Sequence, residues 1–598
     1  MNPIRISLSI AAVAMLSLAA QASDVDLFAG KATSIAYPVT DAQKRSIPVA
    51  KEITHPVLHQ NSPLSYKTIL RTGAKLGDET FGLLKDQNDR PLKMQDGSAY
   101  ICNGQFGGSG PDHTEFLDTG DGLYMITQFE CRIGAIYMAK LKQDPITGEL
   151  SAQDLRFISQ KDYHGGWVHC AGMKTPWNSF LGSEEYEPDA KKLDPATGKI
   201  DKYYNTIAPY FGGDLKKANP YYYGWITEIR LDKKDTPHYT KHYSMGRFAH
   251  ELAYVLPDQK TAYLSDDGSN CALFMYVADK AGDLSAGTLY AAKWKQTDDR
   301  GAGAADLGWV RLGHATDAQL RKIVDSRPSF DEIFESAKMN DDGSCPANFR
   351  GVNTDHGTEC LRLKPGKEKE AAFLESRRYA AYLGATTEFR KMEGITYDPD
   401  TRRVYLAMSQ VAKGMEDHKK YGKPNDKYDR GGPNDIRVAY NKCGAVYAMD
   451  LGNGESEEID SGYVAKHIHG IISGIPKKYE ASSPYADNSC DINSIANPDN
   501  ISYLPGSNLL LIGEDTDYHQ NDLIWAFDTK KNKLVDRVAS TPYGSETTSL
   551  MWQPDIRGFR YINFVTQHPF GESDQDKLKD PSDVQSYVGY MKVGSDAQ

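Results

Sequence analysis

Four segments of the chain concentrate carboxylates, and three of them lead directly into a strand pattern. The first runs from Val168-His169-Cys170-Ala171-Gly172 through Thr175-Pro176-Trp177 to Ser183-Glu184-Glu185. The second is Gly246-Arg247-Phe248-Ala249-His250-Glu251, and the third is Arg390-Lys391-Met392-Glu393-Gly394. The fourth is Ala496-Asn497-Pro498-Asp499-Asn500, with Gly513-Glu514-Asp515 one strand later. Together they offer carboxylates, an imidazole, amides, a thiol and a cation. Hard carboxylate oxygens suit Ca²⁺, whereas thiolate and imidazole suit a transition metal such as Fe or Zn. Lys391 or Arg390 is able to hold a phosphoryl oxygen. Any one of these acids also reads as an ordinary exposed turn residue. Three equivalent segments, each with an acid before a strand, point instead to a shared site.

Residues so far apart in sequence meet only if the elements that carry them converge. A unit recurs along the chain: a strand, a Pro/Asp/Gly turn and a second strand. Leu252 to Leu256 turns at Pro257-Asp258 into Thr261-Ala262-Tyr263-Leu264, and Ile395 to Asp398 turns at Pro399-Asp400 into Val404-Tyr405-Leu406. Ile501 to Leu504 turns at Pro505-Gly506 into Leu509-Leu510-Leu511-Ile512. Turn chemistry and alternation make each a hairpin, and each is trailed by another short strand at 272–276, 444–448 or 522–526. Repeated hairpins of this kind predict an all-β fold, a β-propeller of six or seven blades, in preference to a β-sandwich. In a propeller the innermost strands surround one channel, so the acids that precede them would meet there. The body, 23–598, is read as one domain with helical and loop insertions near 298–390 and 412–441. Helices are expected at 317–324 and 330–338, and a mixed basic and acidic stretch at 364–378.

Composition limits the partners. The 598 residues carry a net charge of -12, which leaves no basic stripe for nucleic acid. Arg5, the apolar run 6–19 and Ala20-Gln21-Ala22 read as a leader of residues 1–22 with a small-residue cleavage site, so a periplasmic or secreted protein is expected. No later run approaches the roughly 18 apolar residues of a membrane span. A small-molecule substrate and a monomer are expected. An anionic substrate would be repelled by the acidic surface unless local cations overcame it. Eight cysteines suit an oxidising compartment. Proximity alone suggests Cys102 with Cys131, Cys345 with Cys360 and Cys443 with Cys490, which leaves Cys170 and Cys271.

The run from Cys170 through Thr175-Pro176-Trp177 to Glu184-Glu185 resembles the signature of PhoX-type alkaline phosphatases. Gly246 to Glu251 is similar to that family's Gly-Arg-Phe-x-His-Glu element. Lys391-Met392-Glu393 stands where the family has Arg-Pro-Glu, Pro498-Asp499 matches its Pro-Asp element, and Gly544-Ser545-Glu546 with Gln567-His568-Pro569 resembles its closing segment. The matches run in order over 165–572. The resemblance implies a propeller enzyme that hydrolyses phosphomonoesters with a calcium–iron cluster. By it Cys170 is an iron ligand, Glu251, Glu393 and Asp499 are metal ligands, and Glu184 or Glu185 completes the cluster. His169, Met173 and Ser183 depart from the pattern, and so does Lys391, a point charge where the family has a bidentate arginine. Arg390 beside it points the other way in an extended segment. A second reading puts His250, His356, His467 and His469 with Glu185 and Glu393 around a transition-metal pair such as Mn or Zn. That site would hydrolyse phosphotriesters or diesters. His467 and His469 read equally well as outward imidazoles on a solvated strand. A non-catalytic binding propeller is the third reading.

Overall fold

A computed structural model describes residues 24–54, 60–103, 108–425, 432–571 and 573–594. The expected leader at 1–22 lies outside the described residues. No helix among them is long and apolar enough to cross a membrane.

The chain folds into successive four-stranded antiparallel meanders. Their first strands are Gly108–Asp118, Met173–Lys174, His250–Val255, Met392–Asp398, Pro498–Leu504 and Glu546–Ile556. Each packs against the next, and the last returns to the first, so that they close a ring. This is the propeller arrangement expected from the repeated hairpins. The hairpin turns owe their shape to aspartates: Asp258 Oδ1 accepts from the N–H of Lys260 and of Thr261. Asp398 Oδ1 does the same for Asp400 and Thr401, a side-chain mimic of a backbone turn. Fully buried aromatic and aliphatic side chains such as Trp225, Phe274, Trp294 and Trp525 fill the spaces between meanders.

Closure is made by the two ends of the chain. In the final meander Glu546–Ile556, Phe559–Gln567 and Tyr587–Val593 are followed by Asn61–Arg71, which pairs antiparallel with Tyr587–Val593. A second fastening joins neighbours at the rim. Ala304–Thr316 pairs on one side with Asp283–Asp298 and on the other with Val464–Ser473, which merges two meanders into one nine-stranded sheet.

The insertions are partly as expected. Asp317–Asp325 is a helix whose N-cap Thr316 accepts from the Gln319 N–H. The second helix is shorter than predicted: it spans only Phe330–Ile333, and Phe334–Ala337 is instead a strand paired with Gly357–Leu363. An available partner strand outweighed helical propensity there. The stretch 364–378 supplies the helices Glu368–Leu374 and Ser376–Leu383. All three proximity pairings occur as disulfides, and Cys170 and Cys271 are buried and free.

Val588 lies fully buried in the strand that joins the two chain ends. Val588→Asp is expected to cost about 3 kcal/mol or more, by burying an unpaired carboxyl. Thermal or urea unfolding monitored by circular dichroism would measure the loss.

Candidate metal centre

The first strands share a local device. In five of the six, two residues stand opposite one on the neighbouring strand, a β-bulge; the corresponding bulge in Glu546–Ile556 is Ser549-Leu550, and the other four begin with an acid. The four acid-led pairs are Asp112-His113, Glu251-Leu252, Glu393-Gly394 and Asp499-Asn500. A bulge bends its strand and re-aims a side chain, and here it turns an acid toward the ring's centre. The neighbouring backbone is strained: Val168, Tyr186, Lys391 and Asn497 all have positive φ, at 36°, 46°, 47° and 38°. Left-handed backbone is costly for non-glycine residues, most of all for β-branched Val168, and such strain gathers at functional sites.

Glu185, Glu251, Glu393 and Asp499 line a cavity of about 120 Å³ together with Cys170 and Lys391. Glu130, Asp267, Asp515 and Glu546 extend its acidic wall, and Ser109 and Tyr186 complete it. Within it, Cys170, Glu185 and Glu251 bring one ligand atom each to within 4.8 Å of one another. Asp112, Glu130 and Cys170 do the same, and so do Asp499, Asp515 and Glu546. Cys170 therefore belongs to two of the three sets; its Sγ is 3.0 Å from Glu251 Oε2 and 3.6 Å from Asp112 Oδ2.

Lys391 is the cation on this wall. Its Nζ donates to Asp267 Oδ2 at 3.0 Å and lies 3.4 Å from Glu393 Oε1. Tyr186 OH donates to the same Asp267 oxygen at 2.7 Å, and Ser409 Oγ donates to Glu393 Oε1 at 2.7 Å.

Crowding sets the electrostatics. Burial, followed by Glu393 and Asp499, pushes the Glu251 carboxyl far above the usual range. Burial, then Glu393 and Asp515, does the same to Asp499. Glu393 is pushed up to about 7 by burial and by Asp267, against the pull of Lys391. Asp267 is the exception: burial raises it, but the charge of Lys391 together with hydrogen bonds from Glu185, Tyr186 and Lys391 holds it low. The Cys170 thiol is driven up by burial and then by Asp112 and Glu251. Carboxylates so placed ionise together only when further positive charge joins them. The donor set, a thiol among carboxylates, fits metal cations. The same need shows at Asp112, whose buried Oδ1 has no hydrogen-bond partner among the described residues.

Other predicted residues go elsewhere. Glu184 turns away from the cavity that its neighbour Glu185 lines. It accepts from Lys241 Nζ at 2.7 Å, Gly224 N–H at 3.0 Å and Trp167 N–H at 3.1 Å, a buried ion pair that holds the second meander together. His250, one residue before its bulge, faces opposite to Glu251: its Nε2 lies 2.9 Å from the Gly246 carbonyl and its ring lies against Phe248. His356 sits with Glu187, Asp355 and Arg377 in a separate ionic cluster. His467 and His469 lie on Val464–Ser473, an outer strand, where His467 meets Asp306. None of these imidazoles lines the cavity. Arg390 points away from Lys391, as alternation requires.

Asp112, Glu130 and Asp267 were not singled out in the sequence. A positional rule would have found one of them. The residue just after the second strand of a hairpin reaches the cavity or its acids at Asp267, Ser409, Asp515 and His568, the last lying 3.2 Å from Glu546 Oε2.

An all-β, propeller-like ring around a buried pocket of acids and a thiol is the framework of a metal-dependent hydrolase. The chain belongs to the alkaline phosphatase PhoX family, whose family model matches residues 138–569. It is thus a metal-dependent phosphatase. Among solved structures it is similar to Pseudomonas fluorescens PhoX in complex with vanadate, a transition state analogue. The two are 16% identical with a TM-score of 0.58, over 94% of this chain and 97% of that one. Kuenenia stuttgartiensis hydrazine synthase is also similar, at 11% identity and a TM-score of 0.31 over 79% of this chain and 94% of that one. No curated protein sequence matches.

Two substitutions separate the neighbouring roles. Cys170→Ala is expected to lower bound transition metal, read by elemental analysis, while the melting temperature stays within a few degrees. Glu184→Gln is expected to cost about 3 kcal/mol of stability by stranding the buried Lys241, with metal content per folded molecule unchanged.

Proposed function

We propose that the protein hydrolyses phosphomonoesters at this cavity, on a propeller whose six blades are the meanders headed by the six first strands of the ring. The observation that carries the reading is Lys391, a partly exposed cation fixed among the acids where a phosphoryl oxygen would need one. The absence of imidazole from the cavity wall, among the described residues, supports a monoester in preference to the triester reading.

In this proposal the thiol of Cys170, with Asp112, Glu130, Glu185 and Glu251, would hold iron, and Glu393, Asp499, Asp515 and Glu546 would hold calcium. Bound there, such ions supply Lewis acidity and positive charge for a phosphoryl group and make an oxygen nucleophile available at neutral pH. The chain's own residues do the rest. Lys391 donates to a phosphoryl oxygen and neutralises charge that grows in the transition state. Asp267, braced by the Tyr186 hydroxyl, keeps the Lys391 ammonium charged and aimed. Ser409 fixes the Glu393 carboxylate. Burial of Cys170, Glu185, Glu251, Asp267, Glu393 and Asp499 limits competing water on that part of the wall and strengthens these interactions. Export to the periplasm or beyond is part of the reading. It rests on the leader pattern at 1–22 and on three disulfides that an oxidising compartment would form.

The purified protein should hydrolyse p-nitrophenyl phosphate, and chelation should abolish the activity. Preferential hydrolysis of a triester would overturn the proposal. Glu393→Gln and Lys391→Met should each lower kcat/KM for the monoester by about a hundredfold or more, the scale of removing a key electrostatic group. Steady-state kinetics on the folded variants would measure it.

A further inference from the structure

A second basic feature stands beside the cavity, and the chemistry above does not use it. The short strand Phe389–Arg390 pairs with Ser269–Cys271, and Lys391 then turns into the cavity, which leaves Arg390 on the opposite side. Arg390 Nη1 donates to Ser269 Oγ at 2.8 Å and to the Gly268 carbonyl at 3.0 Å, and its Nε donates to Gln410 Oε1 at 3.1 Å. Lys413, at the start of the insertion near 412–441, donates from Nζ to the same Ser269 Oγ at 2.9 Å.

Two half-buried cations therefore converge on one neutral hydroxyl. Neither pairs with a carboxylate among the described residues. The acid nearest to Lys413 in sequence, Glu416, accepts from the backbone N–H groups of Lys413, Tyr421 and Gly422 at 2.8, 2.6 and 2.7 Å, and Glu388, the nearest to Arg390, accepts from those of Asp435 and Ile436 at 3.0 and 2.7 Å. Burial, and then the charge of Arg390, weakens the hold of Lys413 on its proton. In a chain of net charge -12 with carboxylates to spare, such a pair is costly unless an anion joins it. A guanidinium with its Nη2 still to offer and an ammonium beside it suit a phosphate, each by a charge-assisted hydrogen bond.

The position is as telling as the charge. The Gly268 carbonyl accepts from the Lys391 N–H at 2.8 Å as well as from Arg390, and Asp267, the partner of Lys391, is two residues from Ser269. The same two backbone segments thus carry both features. We propose that Arg390, Lys413 and Ser269 form a second anion subsite at the cavity rim. It binds a second phosphate on the alcohol part of the ester, so that bisphosphorylated substrates are preferred. This rests on the phosphomonoesterase reading.

The test compares fructose 1,6-bisphosphate with fructose 6-phosphate, using the metal-loaded protein and its Lys413→Gln and Arg390→Gln variants. The parent is expected to favour the bisphosphate in kcat/KM by about tenfold, the worth of one charge-assisted hydrogen bond. Each variant is expected to erase most of that ratio, and Lys413→Gln should melt no lower than the parent because it removes a like-charge contact. An equal ratio in all three proteins would overturn the subsite while leaving the monoesterase reading intact. If the parent hydrolyses neither ester, the monoesterase reading fails. Equilibrium binding of fructose 1,6-bisphosphate then decides the subsite: a tenfold weaker Kd in Lys413→Gln supports it, and an unchanged Kd removes it.

Discussion

Carboxylates at close quarters repel one another, and the centre of this protein is organised around that repulsion. Glu130, Glu185, Glu251, Asp267, Glu393, Asp499, Asp515 and Glu546 share the wall of one small buried cavity with a single lysine. The folded ring holds them there by force of packing: large aromatic side chains fill the spaces between meanders, and each first strand is braced by the next. What the packing imposes, bound cations would relieve. Lys391 relieves only its own corner, where Asp267 is held ionised while Glu251 and Asp499 are pushed toward their neutral forms.

The means of convergence is economical. One bulge, repeated at Asp112, Glu251, Glu393 and Asp499, turns an ordinary inner strand into a ligand carrier. Because the ladder resumes beyond each bulge, the rest of the strand keeps its alternation and its share of the core. The residue that follows the second strand then supports the acid of the first, as Ser409 does for Glu393 and His568 for Glu546.

Much of this was legible in the residues. Glu251, Glu393 and Asp499 stand before clear hairpins, so their convergence followed once the hairpins were read as propeller units, and Cys170 was marked by its motif. Other positions were harder for definite physical reasons. Glu184 and Glu185 are adjacent in an extended segment and must face opposite ways, but only the position of Lys241 decides which is drawn off into an ion pair. His250 looked like a ligand from its place beside Glu251, yet the bulge that aims the acid inward leaves the imidazole against Phe248. Asp112 and Glu130 lie inside strands, without the turn chemistry that marks a special position in sequence. The misread helix after Ile333 had its strand partner some twenty residues downstream, a non-local contact that local propensity does not register.

The pairing of Asn61–Arg71 with Tyr587–Val593 carries a consequence for how the molecule comes into being. The acids follow one another along the chain, first Asp112 and last Glu546, on successive sheets. Without the final strand the sheets make an open arc, and no one of them carries the whole set of acids. The grip becomes collective only when the ends meet. The wall of acids is therefore complete only in the closed ring, and a strand near the start of the chain is as necessary to it as the acids themselves.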